Sequence, residues 1–135
     1  SLVKGIKDNL IDVIVSDHIP EDEESKRLPF AQAGTGAIGI ETLLPLALEM
    51  HHNESLPLNK IIETLTINPA KILQINKGTL KKGSDGDICI LDLDAPWVVK
   101  AEKLKSKSKN TAIEGRKLQG KVLMTFLNGE LAFNQ

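Results

Sequence analysis

The stretch "IDVIVSDHIP", residues 11–20, decides how this chain is read. Its first part, Ile11 to Ser16, is short, β-branched and apolar on both faces. That is the pattern of a strand covered from both sides in a parallel α/β sheet. Its second part places a carboxylate and an imidazole, Asp17 and His18, where the strand runs out. The carboxyl end of a buried parallel strand is where α/β barrels keep their chemistry. An Asp at such a place also serves as a turn or cap residue, so Asp17 alone leaves both readings open.

Upstream, "LVKGIKDNL", residues 2–10, reads as the tail of an amphipathic helix. Downstream, residues 17–39 are polar and then glycine-rich, and read as one long loop. Loops of that length are usually functional or disordered. Ile40, Leu43, Leu44, Ala47 and Leu48 fall at helical spacing in a segment reaching His51. A second helix is predicted from Pro57 to Thr66, with Leu58, Ile61, Ile62 and Leu65 on one face. Asn68-Pro69 predicts a cap and a first-position proline opening a third short helix, "PAKILQI", with Gly78 at its end.

After Gly78 the pattern turns to β. Ile88 to Leu93 and "WVV" at 97–99 predict strands, and "KSKSKN", 105–110, predicts a solvated basic loop. "GKVLMTFLNGELAF" alternates Val122, Met124 and Phe126 against Leu123, Thr125 and Leu127. It turns at Asn128-Gly129, a strong hairpin signal. The expected organisation is therefore 1–77, strand and helices, then 78–135, a small β portion, with no internal repeat.

Composition bounds the function classes. The 135 residues are 41% hydrophobic with a net charge of −1, enough to bury one core and without the basic footprint of a nucleic-acid binder. No apolar run approaches the roughly 20 residues of a membrane span. No signal-peptide pattern is read at the start. The single cysteine, Cys89, excludes an internal disulfide framework and fits a reducing compartment, so a cytoplasmic location is expected. Within "ICIL" it reads as an inert core thiol.

"GTGAIG", Gly34 to Gly39, matches GxGxxG literally. A dinucleotide site needs a strand directly before it, and "KRLPFAQA" supplies a proline and no strand. The segment reads instead as a glycine-rich loop that lets backbone approach closely.

The ordered set "IDVIVSDHIP", "KRLPFAQAGTGAIGIETLLPL", "LTINPAKIL", "GTLKKGSDGDICILD", "KSKSKNTAIEG" and "LNGEL" resembles the dihydroorotases, within the metal-dependent amidohydrolase superfamily. The resemblance runs from about Leu2 to Leu131. "DHxP" with "GxxGxET" points to dihydroorotase ahead of hydantoinase or allantoinase. It implies an α/β fold: the C-terminal part of a (β/α)8 metal-dependent hydrolase barrel plus the C-terminal share of a small β-sandwich. "IDVIVS" then resembles the eighth barrel strand. A whole barrel needs about 250 residues, so the chain resembles the C-terminal third of an enzyme.

The resemblance assigns Asp17 two roles, ligand of a Zn2+ ion and general base. The implied reaction is reversible closure of carbamoyl aspartate to dihydroorotate, a step of pyrimidine synthesis. The family's other ligands, an HxH pair, a carboxylated lysine and two histidines, are expected upstream. The fragment alone is therefore expected to be inactive. His51 and His52 are adjacent, cannot face one metal as a helical pair, and are expected at the surface. Two departures bear on substrate. Glu21 stands where many members have a second histidine, and Ala33-Gly34-Thr35-Gly36 stands where many read APxG. Thr35 and Gly36 are expected to offer N–H groups to the pyrimidine ring, and Arg27 or Lys26 to restore positive charge. Expected partners are the small-molecule substrate, the N-terminal part of the same protein and a homo-oligomer. Alternatives are a non-catalytic subunit scaffolding aspartate transcarbamoylase and another cyclic amidohydrolase.

Overall fold

The computed structural model describes residues 2–135. Helix α1 spans Leu2–Lys7 and ends in a basic turn, with Lys4 and Lys7 at its negative dipole end. Asn9 follows with φ 58°, the left-handed conformation that asparagine tolerates. The chain then runs through Ile11–Ser16 without regular secondary structure. The expected strand is not paired as one. Its backbone N–H contacts are Ile11 to the Gly5 carbonyl at 3.1 Å and Ile14 to the Thr64 carbonyl at 3.2 Å, and no described segment supplies a ladder beside it. A strand is defined by its neighbours as much as by its sequence, and periodicity cannot report which neighbours are present.

The long loop is less irregular than its composition suggests. It contains a short helix, α2 (Glu23–Arg27), capped by Asp22, whose Oδ1 accepts the Ser25 N–H at 2.7 Å. Three helices follow, as the periodicity predicts: α3 (Ile40–His52), α4 (Leu58–Leu65) and α5 (Ile67–Ile72). The boundaries of α5 correct two expectations. Thr66, not Asn68, holds the N-cap, so Pro69 lies inside the first turn, where its missing N–H has no intrahelical partner to lose. Asn68 instead donates its side-chain amide to the Asp12 carbonyl at 3.0 Å. At the other end Gln74, at φ 55°, makes the left-handed exit expected of Gly78. Gly78 answers a different need. At φ 76°, a Cβ there would lie 2.8 Å from the Ile67 nitrogen.

The chain divides into two units. One takes the chain up to Ile14, Leu44–Ala95 and Gln119–Gln135; the other takes Val15–Leu43 and Pro96–Leu118. Segments from either side of residue 78 occur in both. The first unit's core is Ile6, Ala47, Leu56 and Ile61, flanked by Val3, Ile11, Ile14, Met50 and Leu65. Leu48 and Ile61 are fully buried, each contributing roughly 1.5–3 kcal/mol on burial. Gly120, at φ 104°, packs so closely that a Cβ would meet Leu48 Cδ1 at 2.5 Å. His51 and His52, expected at the surface, are half-buried with ring centroids 5.7 Å apart. The Nε2 of His52 is buried and makes no hydrogen bond among the described residues.

The β portion is a three-stranded sheet in the order β1 (Ile88–Val98), β2 (Lys117–Leu127), β3 (Glu130–Asn134). The two strands expected at 88–93 and 97–99 are one continuous strand that carries Pro96 near its end, a position compatible with its missing N–H. β2 and β3 pair antiparallel with Leu127 opposite Glu130 and a bulge between Thr125 and Phe126. Asn128 (φ 52°) and Gly129 (φ 83°) form the predicted turn, both in the conformation such hairpins demand. Its tip is held by Asp87, whose Oδ1 accepts the Asn128 N–H at 2.8 Å. Cys89, expected in the core, is exposed. The apolar run around it marks a strand rather than a buried one, for Ile88 and Ile90 retain 41% and 43% of their surface.

Candidate active site

All the residues of the candidate site lie in the second unit. Asp17 follows the Ile11–Ser16 segment in a left-handed conformation, φ 44°, with an exposed side chain. Asp is one of few residues that enter this region, and holding it there costs of order 1–3 kcal/mol unless the surroundings fix it. They do so immediately afterwards. Residues 18 and 37 form a parallel bridge, with the Ile19 N–H donating to the Ala37 carbonyl at 3.0 Å. The Gly39 N–H donates to His18 Nδ1 at 3.1 Å. Nδ1 is therefore the acceptor in this contact. Gly39 is obligatory here, since a Cβ would meet the Ser16 carbonyl oxygen at 2.7 Å. The Asp17 loop and the glycine-rich loop are thus zipped side by side, with a small cleft beside His18 lined by Ile38, Glu41, Thr42 and Leu104.

The other expected contacts are placed as follows. Thr35 and Gly36 are exposed on the glycine-rich loop. Gly36 has φ 113°, and a Cβ there would lie 2.5 Å from Ile19 Cβ. Lys26 does not offer a free cation to a ligand: its Nζ donates to the Gly34 carbonyl at 2.8 Å and the Gly36 carbonyl at 3.0 Å. Arg27 is exposed and paired with Glu23 one helical turn back. Glu21 accepts from Ser25 Oγ at 3.2 Å and lies against Gly34, where a Cβ would meet its Oε2 at 2.8 Å. Glycine at 34 is what lets the Glu21 carboxylate fold inward.

Residues 1–132 match the sequence profile of the Amidohydrolase family. The chain belongs to the amidohydrolase family. It is 44% identical over 133 residues to the dihydroorotase of Ehrlichia chaffeensis, covering 98% of this chain and 30% of that protein. It is 40% identical over 136 residues to the dihydroorotase of Acetivibrio thermocellus, covering 100% of this chain and 32% of that one. It therefore spans about 30% of the length of the curated relatives it matches. Among solved structures it is similar to an L-hydantoinase (dihydropyrimidinase) from Arthrobacter aurescens, with TM-score 0.86 and 35% identity, covering 98% of this chain and 31% of that one. It shares the fold of a dihydropyrimidinase from Brevibacillus agri, with TM-score 0.92 and 23% identity, covering 98% of this chain and 30% of that one.

As an amidohydrolase segment, the site has one residue suited to a metal. The Asp17 carboxylate is exposed and makes no hydrogen bond or ion pair with the described residues. The Nδ1 lone pair of His18 is already committed to Gly39. No group of three His, Cys, Asp or Glu among the described residues could hold a metal ion. The residues present fit one ligand position, short of the roughly four that zinc prefers.

Two site residues escape sequence reasoning. Glu41 Oε1 accepts the N–H groups of Lys105 and Ser106 at 2.7 and 3.1 Å. Lys109 Nζ donates to the carbonyls of Leu104 and Ser106, each at 2.7 Å. The "KSKSKN" segment is therefore tethered, while its lysines Lys105, Lys107 and Lys109 are exposed as expected of a solvated loop. The other is Asn110, whose amide reaches the Asp17 loop. A lone asparagine ending a lysine-rich run carries no local signal of such a role.

Proposed function

We propose that this chain is the C-terminal part of a zinc-dependent dihydroorotase, the end of its barrel plus its share of a β-sandwich. The substrate pair is carbamoyl aspartate and dihydroorotate, and the step belongs to pyrimidine synthesis in the cytoplasm. The observation that supports it is that likeness to proteins named dihydroorotase runs through nearly the whole chain, across the Asp17 and glycine-rich loops.

In the ring-opening direction the Asp17 carboxylate takes a proton from the attacking water and delivers it to the ring nitrogen as the C–N bond breaks. A carboxylate does this when it is within reach of the water and the ring nitrogen, and the exposed side chain of Asp17 suits that role. Asp17 would also hold Zn2+, which when bound lowers the pKa of its water to about 7 and polarises the carbonyl. The other ligands belong to the N-terminal part of the whole protein, so the 135-residue chain alone has no turnover. Thr35 and Gly36 present backbone to the ring. Lys26 is committed to carbonyls, and the exposed Arg27 would exchange its surface pairing with Glu23 for a substrate carboxylate. The whole protein assembles as a homo-oligomer.

A hydantoinase-like reading is favoured by the L-hydantoinase likeness. Both substrates are cyclic amides opened by the same chemistry. Steady-state assay of the whole protein on dihydroorotate and on hydantoin separates them. Dihydroorotate preferred by 100-fold or more in kcat/KM, about 2.7 kcal/mol, is expected. Preference for hydantoin would replace the assignment, and activity on neither would point to a scaffold for aspartate transcarbamoylase.

A further inference from the structure

Asn110 is hydrogen-bonded through its side-chain amide and its backbone carbonyl to the two loops that carry the site. Its Oδ1 accepts the Glu21 N–H at 3.2 Å. Its Nδ2 donates to the Ile19 carbonyl at 3.1 Å and, at the outer limit, to the Gly36 carbonyl at 3.5 Å. Its own carbonyl accepts the Ile38 N–H at 3.3 Å. These partners lie 74 to 91 residues away in sequence for the side-chain bonds. Ile19 and Glu21 flank Pro20, which has no N–H, so Asn110 takes the first polar groups on either side of it. The other end of the zipper is the His18–Gly39 contact.

We propose that Asn110 is a positioning residue that fixes the Asp17 loop against the glycine-rich loop, and so sets the distance between the proton-transfer carboxylate and the backbone facing the substrate ring. The proposal rests on the reading of those loops given under Proposed function. The physical requirement is specific. The position must accept one N–H and donate to two carbonyls at once, which a primary amide does and neither a carboxylate nor a hydroxyl does. The tether makes the amide's placement independent of the mobility of the loop that bears it. Leu104 is buried, and Glu41 and Lys109 hold the backbone on the way to Asn110.

The test uses the whole protein with Asn110→Ala and Asn110→Asp. Asp conserves volume and the acceptor for Glu21 but loses both donors, which keeps the test open if Ala impairs folding. Three quantities are read: kcat, KM, and amide hydrogen exchange at Glu21 and Ile38. Both variants are expected to raise KM at least about 10-fold and lower kcat at least about 10-fold, with faster exchange at Glu21 in Asn110→Ala, which removes its acceptor. A loss of folded protein would lower apparent kcat and leave KM unchanged, so a kcat effect without a KM effect overturns the proposal. Unchanged exchange at Glu21 in Asn110→Ala overturns it as well, as does faster exchange with unaltered kinetics. If the parent turns over no dihydroorotate, the functional reading fails separately. The same ratios measured on the cyclic amide it does open, or the exchange rates alone where it opens none, then decide the role of Asn110.

Discussion

The backbone N–H of Gly39 donates to Nδ1 of His18 at 3.1 Å across 21 residues of sequence. This bond makes His18 a brace between two loops. Truncating it in His18→Ala leaves a half-buried N–H without its partner, a loss of about 1 kcal/mol or more. Chemical denaturation of the whole protein should show that loss, with a fall in kcat larger than the stability change alone accounts for.

Gly36 and Gly83 give a matched pair. Both have positive φ, 113° and 89°. A Cβ at Gly36 would collide with Ile19, whereas at Gly83 nothing lies within 4 Å. Gly83→Ala should cost only backbone strain, about 1 kcal/mol. Gly36→Ala should cost more, about 1–3 kcal/mol from overpacking, and should raise KM. Equal losses of melting temperature for the two would show that the loop simply moves aside.

The hairpin should respond to pH. The Asn128 N–H first, and then the Lys77 ammonium, hold the Asp87 carboxyl below its ordinary value of 3.8. A depressed folded-state pKa contributes stability above the unfolded value and loses it as pH falls through the folded one. Lys77, hydrogen-bonded to Asp85 and Asp87, is held above its ordinary 10.5, so its contribution is present below that value and lost as pH rises past it. Both groups are exposed, so the effect is small and salt-sensitive. Melting temperature followed from pH 6 down to about pH 2 should fall less steeply in Asp87→Asn than in the parent. Parallel curves would contradict the assignment.

What could be read from the sequence was local. The Asn128-Gly129 hairpin and the helices at 40–52 and 58–65 are written in adjacent residues, and Asp17 marks itself by standing where an apolar run ends. What could not be read depends on partners far along the chain. Asn110 looks like the end of a basic loop until Ile19 and Glu21 are brought to it. Lys26 looks available until its ammonium meets the Gly34 and Gly36 carbonyls. The segment Ile11–Ser16, which resembles a barrel strand, has no ladder partner among the described residues. Its composition declares a buried-type strand, while pairing needs neighbours that no stretch of the described residues supplies.

The central claim is that the exposed, left-handed Asp17 moves the proton. Its most direct test is kcat of the whole protein carrying Asp17→Asn, on dihydroorotate, with folding verified by circular dichroism. An amide keeps the size and the tolerance for φ 44° but cannot accept and return a proton. Loss of a general base costs about 10²–10⁴-fold, and kcat should fall at least that far with the fold intact. A variant that retains more than about half the parent's kcat would contradict the account and leave Asp17 as a turn residue at the end of an apolar segment.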